Sequence, residues 1–108
     1  MKIIQYVIGM ANFSDETILA VWKKGTAVPG YDSTYWRKDQ CGAWISYRAY
    51  GNRNSDYGWE IDHISPAAHG GSDNLSNLRP LHWRNNVSKS DGRLSCAIKA
   101  SGDHNELV

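Results

Sequence analysis

Asp62 and His63 stand side by side at the end of the stretch YGWEIDHISP, and Asn77, Asn85, Asn86 and Lys89 follow within thirty residues. A strand that only had to be buried would not carry an acid and a histidine through its centre. These residue types suit hydrolysis of a phosphodiester. A base must take a proton from water near neutral pH, for which histidine is the fitting side chain. A divalent ion must neutralise charge on the phosphoryl and leaving oxygens, and it prefers oxygen ligands such as Asp or the Asn carbonyl. Base and ion must also flank the phosphorus for in-line displacement. Neighbouring strand residues project to opposite sides, so an Asp-His pair at a strand end can serve both flanks.

The elements that must position these groups are legible in outline. Tyr57 to Ile64 has strand composition, as does Gly42 to Tyr50, and with the loop at 51–55 between them they predict an antiparallel hairpin. PAAHGGSDN (66–74) is a loop. Leu75 to Leu81 is expected to be extended, because Pro80 disfavours helix at Arg79. One short helix is expected from His82 to about Lys89, ending near Asp91-Gly92. Asn86 and Lys89, three apart, would share its face, and His82 lies four before Asn86.

Upstream, Ser14 is placed to cap a helix with Asp15 and Glu16 in its first turn, an apolar face of Ile18, Leu19, Val21 and Trp22, and a basic end at Lys23-Lys24-Gly25. Residues 2–10 suit a strand or a buried first turn, and the pattern does not decide. The last dozen residues are expected to be a loose tail.

The stretch WEIDHISPAAHGGSDNLSNLRPLHWRNNVSKSDG (59–92) resembles the HNH endonuclease motif, also called the ββα-metal or His-Me finger. In that pattern an Asp-His ends a strand, a Gly-rich loop follows, and an Asn opens a short extended segment. An Asn or His comes nine residues later on a helix, with Lys close behind; here these are Asn77, Asn86 and Lys89. The resemblance is strong over residues 57–92, about a third of the chain. It implies His63 as general base, Asp62 and Asn86 as ligands of one divalent ion, and Asn77 as the catalytic-loop residue that braces His63. Lys89, with Arg84 and Arg79, would meet phosphate, and His82 would stand in a second layer. The ion would be Mg²⁺, with Mn²⁺ or Ni²⁺ as substitutes, and the substrate DNA. Many relatives carry two CxxC pairs on structural zinc. The second pair would fall at His82 and Asn85, so a four-cysteine ribbon is ruled out and no structural zinc is expected. The position one turn after the helical ligand is Ser90, which leaves water to complete the shell.

Bulk properties bound this reading. A chain of 108 residues, 41% hydrophobic and 21% charged, fits one α+β domain: a ββα finger with an added N-terminal helix. We expect residues 1–40 as a helical extension, 57–92 as the motif core and 96–108 as the tail. The net charge of +1 does not announce nucleic acid; the basic bias lies in 79–93, where four cations face Asp91 alone. Arg48 and Arg53 suit either a phosphate backbone or plain exposure. The five tryptophans are expected in the core. Cys41 and Cys96 form no CxxC pair, and the chain reads as an intracellular protein with two thiols, although one bridge is compatible with the sequence. IIQYVIGMA is too short and polar for a membrane span or signal peptide, so the expected setting is cytoplasmic and soluble. Two rival readings are a non-cleaving nucleic-acid-binding module on the same finger and a protein-interaction domain. Monomer and homodimer stay open, since a symmetric double-strand cut would need two sites.

Overall fold

A computed structural model describes residues 13–89 and 92–108. The strand or turn expected over residues 2–10, and the water-completed position at Ser90, lie outside the described residues. Helix α1 (Asp15–Trp22) begins at Ser14, whose hydroxyl accepts the Thr17 amide at 3.1 Å. It buries Val21 and Trp22. Its C-terminal end is closed by Arg37, whose guanidinium donates to the carbonyls of Lys23 and Gly25. Gly25 is there for space, since a Cβ would lie 3.2 Å from the Trp22 carbonyl oxygen and 3.3 Å from Arg37 Cβ.

Three two-stranded antiparallel sheets follow. Strands β1 (Trp36–Lys38) and β2 (Trp44–Ser46) pair with Arg37 opposite Ile45. Strands β3 (Trp59–His63) and β4 (Leu78–His82) pair with Asp62 opposite Arg79 and His63 opposite Leu78. Helix α2 (Trp83–Val87) runs on directly from β4. Strands β5 (Ile98–Ser101) and β6 (His104–Leu107) turn about Gly102. The core lies between α1 and the β3–β4 sheet: Val21, Trp22, Ile45, Trp59, Ile61 and Leu78, with Tyr47 and Tyr50 packed against it. Trp59 meets Trp22 at 5.2 Å and Tyr50 at 4.8 Å between ring centroids.

The ββα finger is therefore β3–β4–α2, and two expectations about its surroundings need correction. The Gly42–Tyr50 segment does not form a hairpin with Tyr57–Ile64. It stops being a strand at Ser46, because Tyr47–Ala49 turns as a 3₁₀ helix, and β2 takes β1 as its partner. Strand β3, buried at four of its five positions, takes β4 from across the long loop. Among the described residues β4 is paired on one side only, and Pro80 is tolerated on such an edge.

The expected loose tail is the β5–β6 hairpin. It is held by the Asn105 side chain, which accepts from Trp44 N at 2.7 Å and donates to the carbonyls of Trp44 and Asp56, both at 2.9 Å. A Cys41–Cys96 disulfide anchors its approach. The two cysteines are thus a cross-link across 55 residues of sequence, which removes the two-thiol argument for an intracellular setting. Among the described residues no helix is long and apolar enough to cross a membrane.

Candidate active site

The period of β3 and the period of α2 bring two pairs of side chains together. Glu60 and Asp62, two apart, share one face of the strand. Asn86 and Lys89, three apart, share one face of the helix and the turn after it. Asn86 Nδ2 donates to Glu60 Oε1 at 2.8 Å, and Lys89 Nζ donates to Asp62 Oδ1. Asp62 is buried, and its second oxygen accepts from Arg79 Nε at 2.7 Å, across the register of β3 and β4. Lys89 also donates to the His63 carbonyl at 3.0 Å, and Arg79 to Gln40 Oε1 at 3.0 Å. Two of the cations expected at phosphate, Arg79 and Lys89, thus sit on the Asp62 carboxylate. Arg84, the third, lies elsewhere: it stacks over Trp83 at 4.6 Å and lines a cavity of about 260 Å³ with Asp56, His82 and Glu106.

Glu60 is almost fully buried and forms a two-pronged ion pair with Arg53, at 2.5 and 2.8 Å. Such burial of a carboxylate requires a charge partner and hydrogen bonds. Beside it the Tyr50 hydroxyl is pushed up to about 12, first by burial and then by the Glu60 charge. Because a carboxylate only accepts, Asn86 must turn its NH₂ toward Glu60, and its carbonyl oxygen then points the other way.

His63 projects to the opposite side of β3. Its Nε2 lies 2.6 Å from Asp73 Oδ1, and the Phe13 ring stands 6.0 Å from its own. The loop behind it is stapled by Asn77. The Asn77 side chain accepts from Ser65 N at 2.8 Å and donates to the carbonyls of Ser65 and Ser72 at 3.1 and 2.7 Å, while its backbone oxygen accepts from Ile64 N. Gly71 is obligatory in this loop, since a Cβ would fall 1.7 Å from the Ser65 carbonyl oxygen.

His82 does not reach the site, and its role is in the scaffold. Fully buried, it caps α2 by accepting the Arg84 amide at Nδ1 (3.0 Å) and donates from Nε2 to the Asp56 carbonyl (2.8 Å). Burial lowers its pKa, with the Asp56 carbonyl bond pulling the other way.

The positions at which a zinc-binding relative would carry its second cysteine pair, His82 and Asn85, meet a carboxylate instead. Asp39 Oδ1 accepts from the amides of Cys41 and Ala43, and Oδ2 accepts from His82 N and Asn85 Nδ2. Asn85 also donates to the Ile98 carbonyl and accepts from the amides of Ala97 and Ile98. This hub ties the β1–β2 turn, α2 and β5 together, and the disulfide closes the same junction.

Sequence reasoning missed Asp39, Glu60 and Asp73, and Arg53, read as a backbone-phosphate contact or a plainly exposed residue, is the partner of Glu60. Glu60 was within reach, because it sits two residues before Asp62 and must share its face. Asp39 had a local signal as well, an acid two residues before Cys41-Gly42 that can fold a turn onto its own carboxylate. Asp73 had none, since its partner is ten residues away across an irregular loop.

Among the described residues no cluster of three or more His, Cys, Asp or Glu side chains is disposed to hold a metal. The donors that the finger offers are oxygens, from the Asp62 carboxylate and the Asn86 amide. That set fits a hard divalent ion that keeps most of its water, and the Lys89 ammonium already marks a cation position at Asp62 Oδ1.

The HNH endonuclease family model matches residues 41–92, close to half of the chain, and takes in β2, the whole β3–β4–α2 finger and the loop with Asn77. No curated protein and no solved structure matches the chain. Residues 41–92 are thus an HNH endonuclease domain. It is accordingly a nuclease by class, of a family that generally works with a divalent metal.

Proposed function

We propose that the protein cuts DNA by metal-dependent hydrolysis, with His63 as the general base. The observation that carries this reading is the split at the end of β3. Asp62 goes to the α2 side with Asn86 and Lys89 above it, while His63 goes to the other side with its ring held by the loop. A phosphate seated at that strand end has a charge-neutralising flank and a proton-accepting flank. His63 takes a proton from water as the water oxygen bonds to phosphorus. The bond to the 3′ oxygen breaks, leaving a 5′-phosphate and a 3′ oxygen that collects a proton from solvent. A divalent ion, Mg²⁺ with Mn²⁺ or Ni²⁺ as substitutes, held by Asp62 and Asn86 would supply neutralisation of the phosphoryl and leaving oxygens. Arg79 keeps a positive charge on the other oxygen of that carboxylate, and Lys89 fills the Oδ1 position that the ion would take. Asn77 acts through the loop, by fixing the backbone that follows His63.

DNA as substrate is supported by a cleft of about 300 Å³ beside β4, lined by Lys24, Lys38, Gln40 and Arg79 with no acid among the described residues that line it. Positive charge along a groove next to the cutting site suits a phosphate backbone. The test is incubation of supercoiled plasmid with Mg²⁺, Mn²⁺, Ni²⁺ or EDTA. Conversion to nicked or linear DNA with metal and not with EDTA is expected. Intact plasmid in every metal would refute the reading and favour a binding module that does not cut.

A further inference from the structure

Within the reading of His63 as base, we propose that Asp73 is a positioning residue that holds the neutral His63 ring with its proton on Nε2, so that Nδ1 is the nitrogen that receives the proton of water. A carboxylate can only accept, so the 2.6 Å contact requires hydrogen on Nε2. A neutral imidazole carries one N–H and one lone pair, and the lone pair then falls on Nδ1. The acid comes from the Gly-rich loop, ten residues after the histidine.

Asp73 itself is exposed (78%), and an exposed pair gains little unless its geometry is imposed from elsewhere. Here it is imposed. Asn77 donates to the Ser72 carbonyl, immediately before Asp73, and accepts from the Ser65 amide, two residues after His63. One side chain therefore fixes the backbone on both sides of the contact. The Ser72 hydroxyl accepts the Asn74 amide, and Gly71 N donates to the Pro66 carbonyl, which folds the loop back over the strand end. On the strand side, Lys89 holds the His63 carbonyl. Ring and carboxylate are each set by a braced backbone, as a base and its orienting acid must be.

The experiment is Asp73→Ala in the full chain, read in two ways. Long-range ¹H–¹⁵N correlation at alkaline pH reports which ring nitrogen of His63 carries the proton. The wild type is expected to show protonated Nε2 and bare Nδ1, and the variant averaged shifts from both tautomers, with the backbone amide spectrum otherwise preserved. Single-turnover cleavage is expected to slow by roughly 10–100-fold at saturating DNA, as for other orienting partners, with half-saturation within about threefold. An unchanged ring pattern in the variant, or a proton on Nδ1 in the wild type, would overturn the proposal. So would a variant that cuts as fast as wild type or faster, which would make Asp73 a bystander or a block. If His63→Ala also cuts normally, the base assignment itself fails, and the ring spectra still decide what Asp73 does to the ring.

Discussion

Asn85→Ala should be among the most damaging single substitutions outside the site. Asn85 is fully buried and makes four hydrogen bonds, two donated and two accepted, at 2.7–3.2 Å. Truncation removes all four and leaves the Ile98 amide and carbonyl without their side-chain partner in a buried place. It also takes one of the four donors from Asp39. At about 1 kcal/mol per lost bond, the loss is roughly 3–4 kcal/mol. That is a large share of the 5–15 kcal/mol typical of a domain and corresponds to roughly 12–20 °C in melting temperature. The assay is urea unfolding of wild type and variant, both oxidised, so that the Cys41–Cys96 tether is constant. Hydrogen exchange should show early loss at the Ala97 and Ile98 amides, while Trp59 and Ile61 follow global unfolding. A variant within about 1 kcal/mol of wild type would refute the claim that this hub holds the junction together.

The remaining expectations concern the cross-link, the site and pH. Removing the disulfide by Cys41→Ser with Cys96→Ser should lower stability by about 4 kcal/mol, the chain-entropy value for a loop of this length; equal urea midpoints would contradict that. Glu60→Ala should weaken Mn²⁺ binding by roughly 10–100-fold in a folded protein, by releasing the Asn86 amide to turn; unchanged affinity by titration calorimetry would deny Glu60 this role. Burial lowers the His82 pKa, so the unfolded chain binds its proton first as pH falls. The stability held by neutral His82 is then fully present above the ordinary histidine range and is lost as pH drops through that range toward the lower folded value. The decline in urea midpoint on acidification should be shallower in His82→Gln than in wild type; parallel declines would count against it.

The site was more legible than its frame. Asp62, His63, Asn77, Asn86 and Lys89 lie in one segment, and it was the resemblance to the HNH motif, with strand and helix spacing beside it, that grouped them. Pairing across the fold was not legible. Both Gly42–Tyr50 and Tyr57–Ile64 read as strands, but the 3₁₀ turn at Tyr47 and the burial of β3 on both faces leave them only an isolated parallel bridge between Tyr50 and Trp59 in place of a hairpin. The Cys41–Cys96 bridge depends on the approach of the β1–β2 turn to the segment after α2, which two cysteines far apart in sequence do not announce. His82 was placed near the site by its spacing from Asn86, but it is the last residue of β4 and turns inward, where both ring nitrogens meet backbone. Arg84 is carried by its position on α2 toward Trp83 and the β5–β6 hairpin. In SGDH (101–104), a glycine-aspartate turn between short strands was a readable signal, outweighed by nearness to the chain end.

The most direct test of the central claim is the single-turnover rate of plasmid cleavage in Mg²⁺ by wild type and by His63→Ala, each shown to be folded. Loss of the general base predicts a fall of roughly 10²–10⁴-fold, with DNA binding in EDTA retained. A variant that cuts within a few-fold of wild type would contradict the assignment of His63, and with it the chemistry proposed for the end of β3.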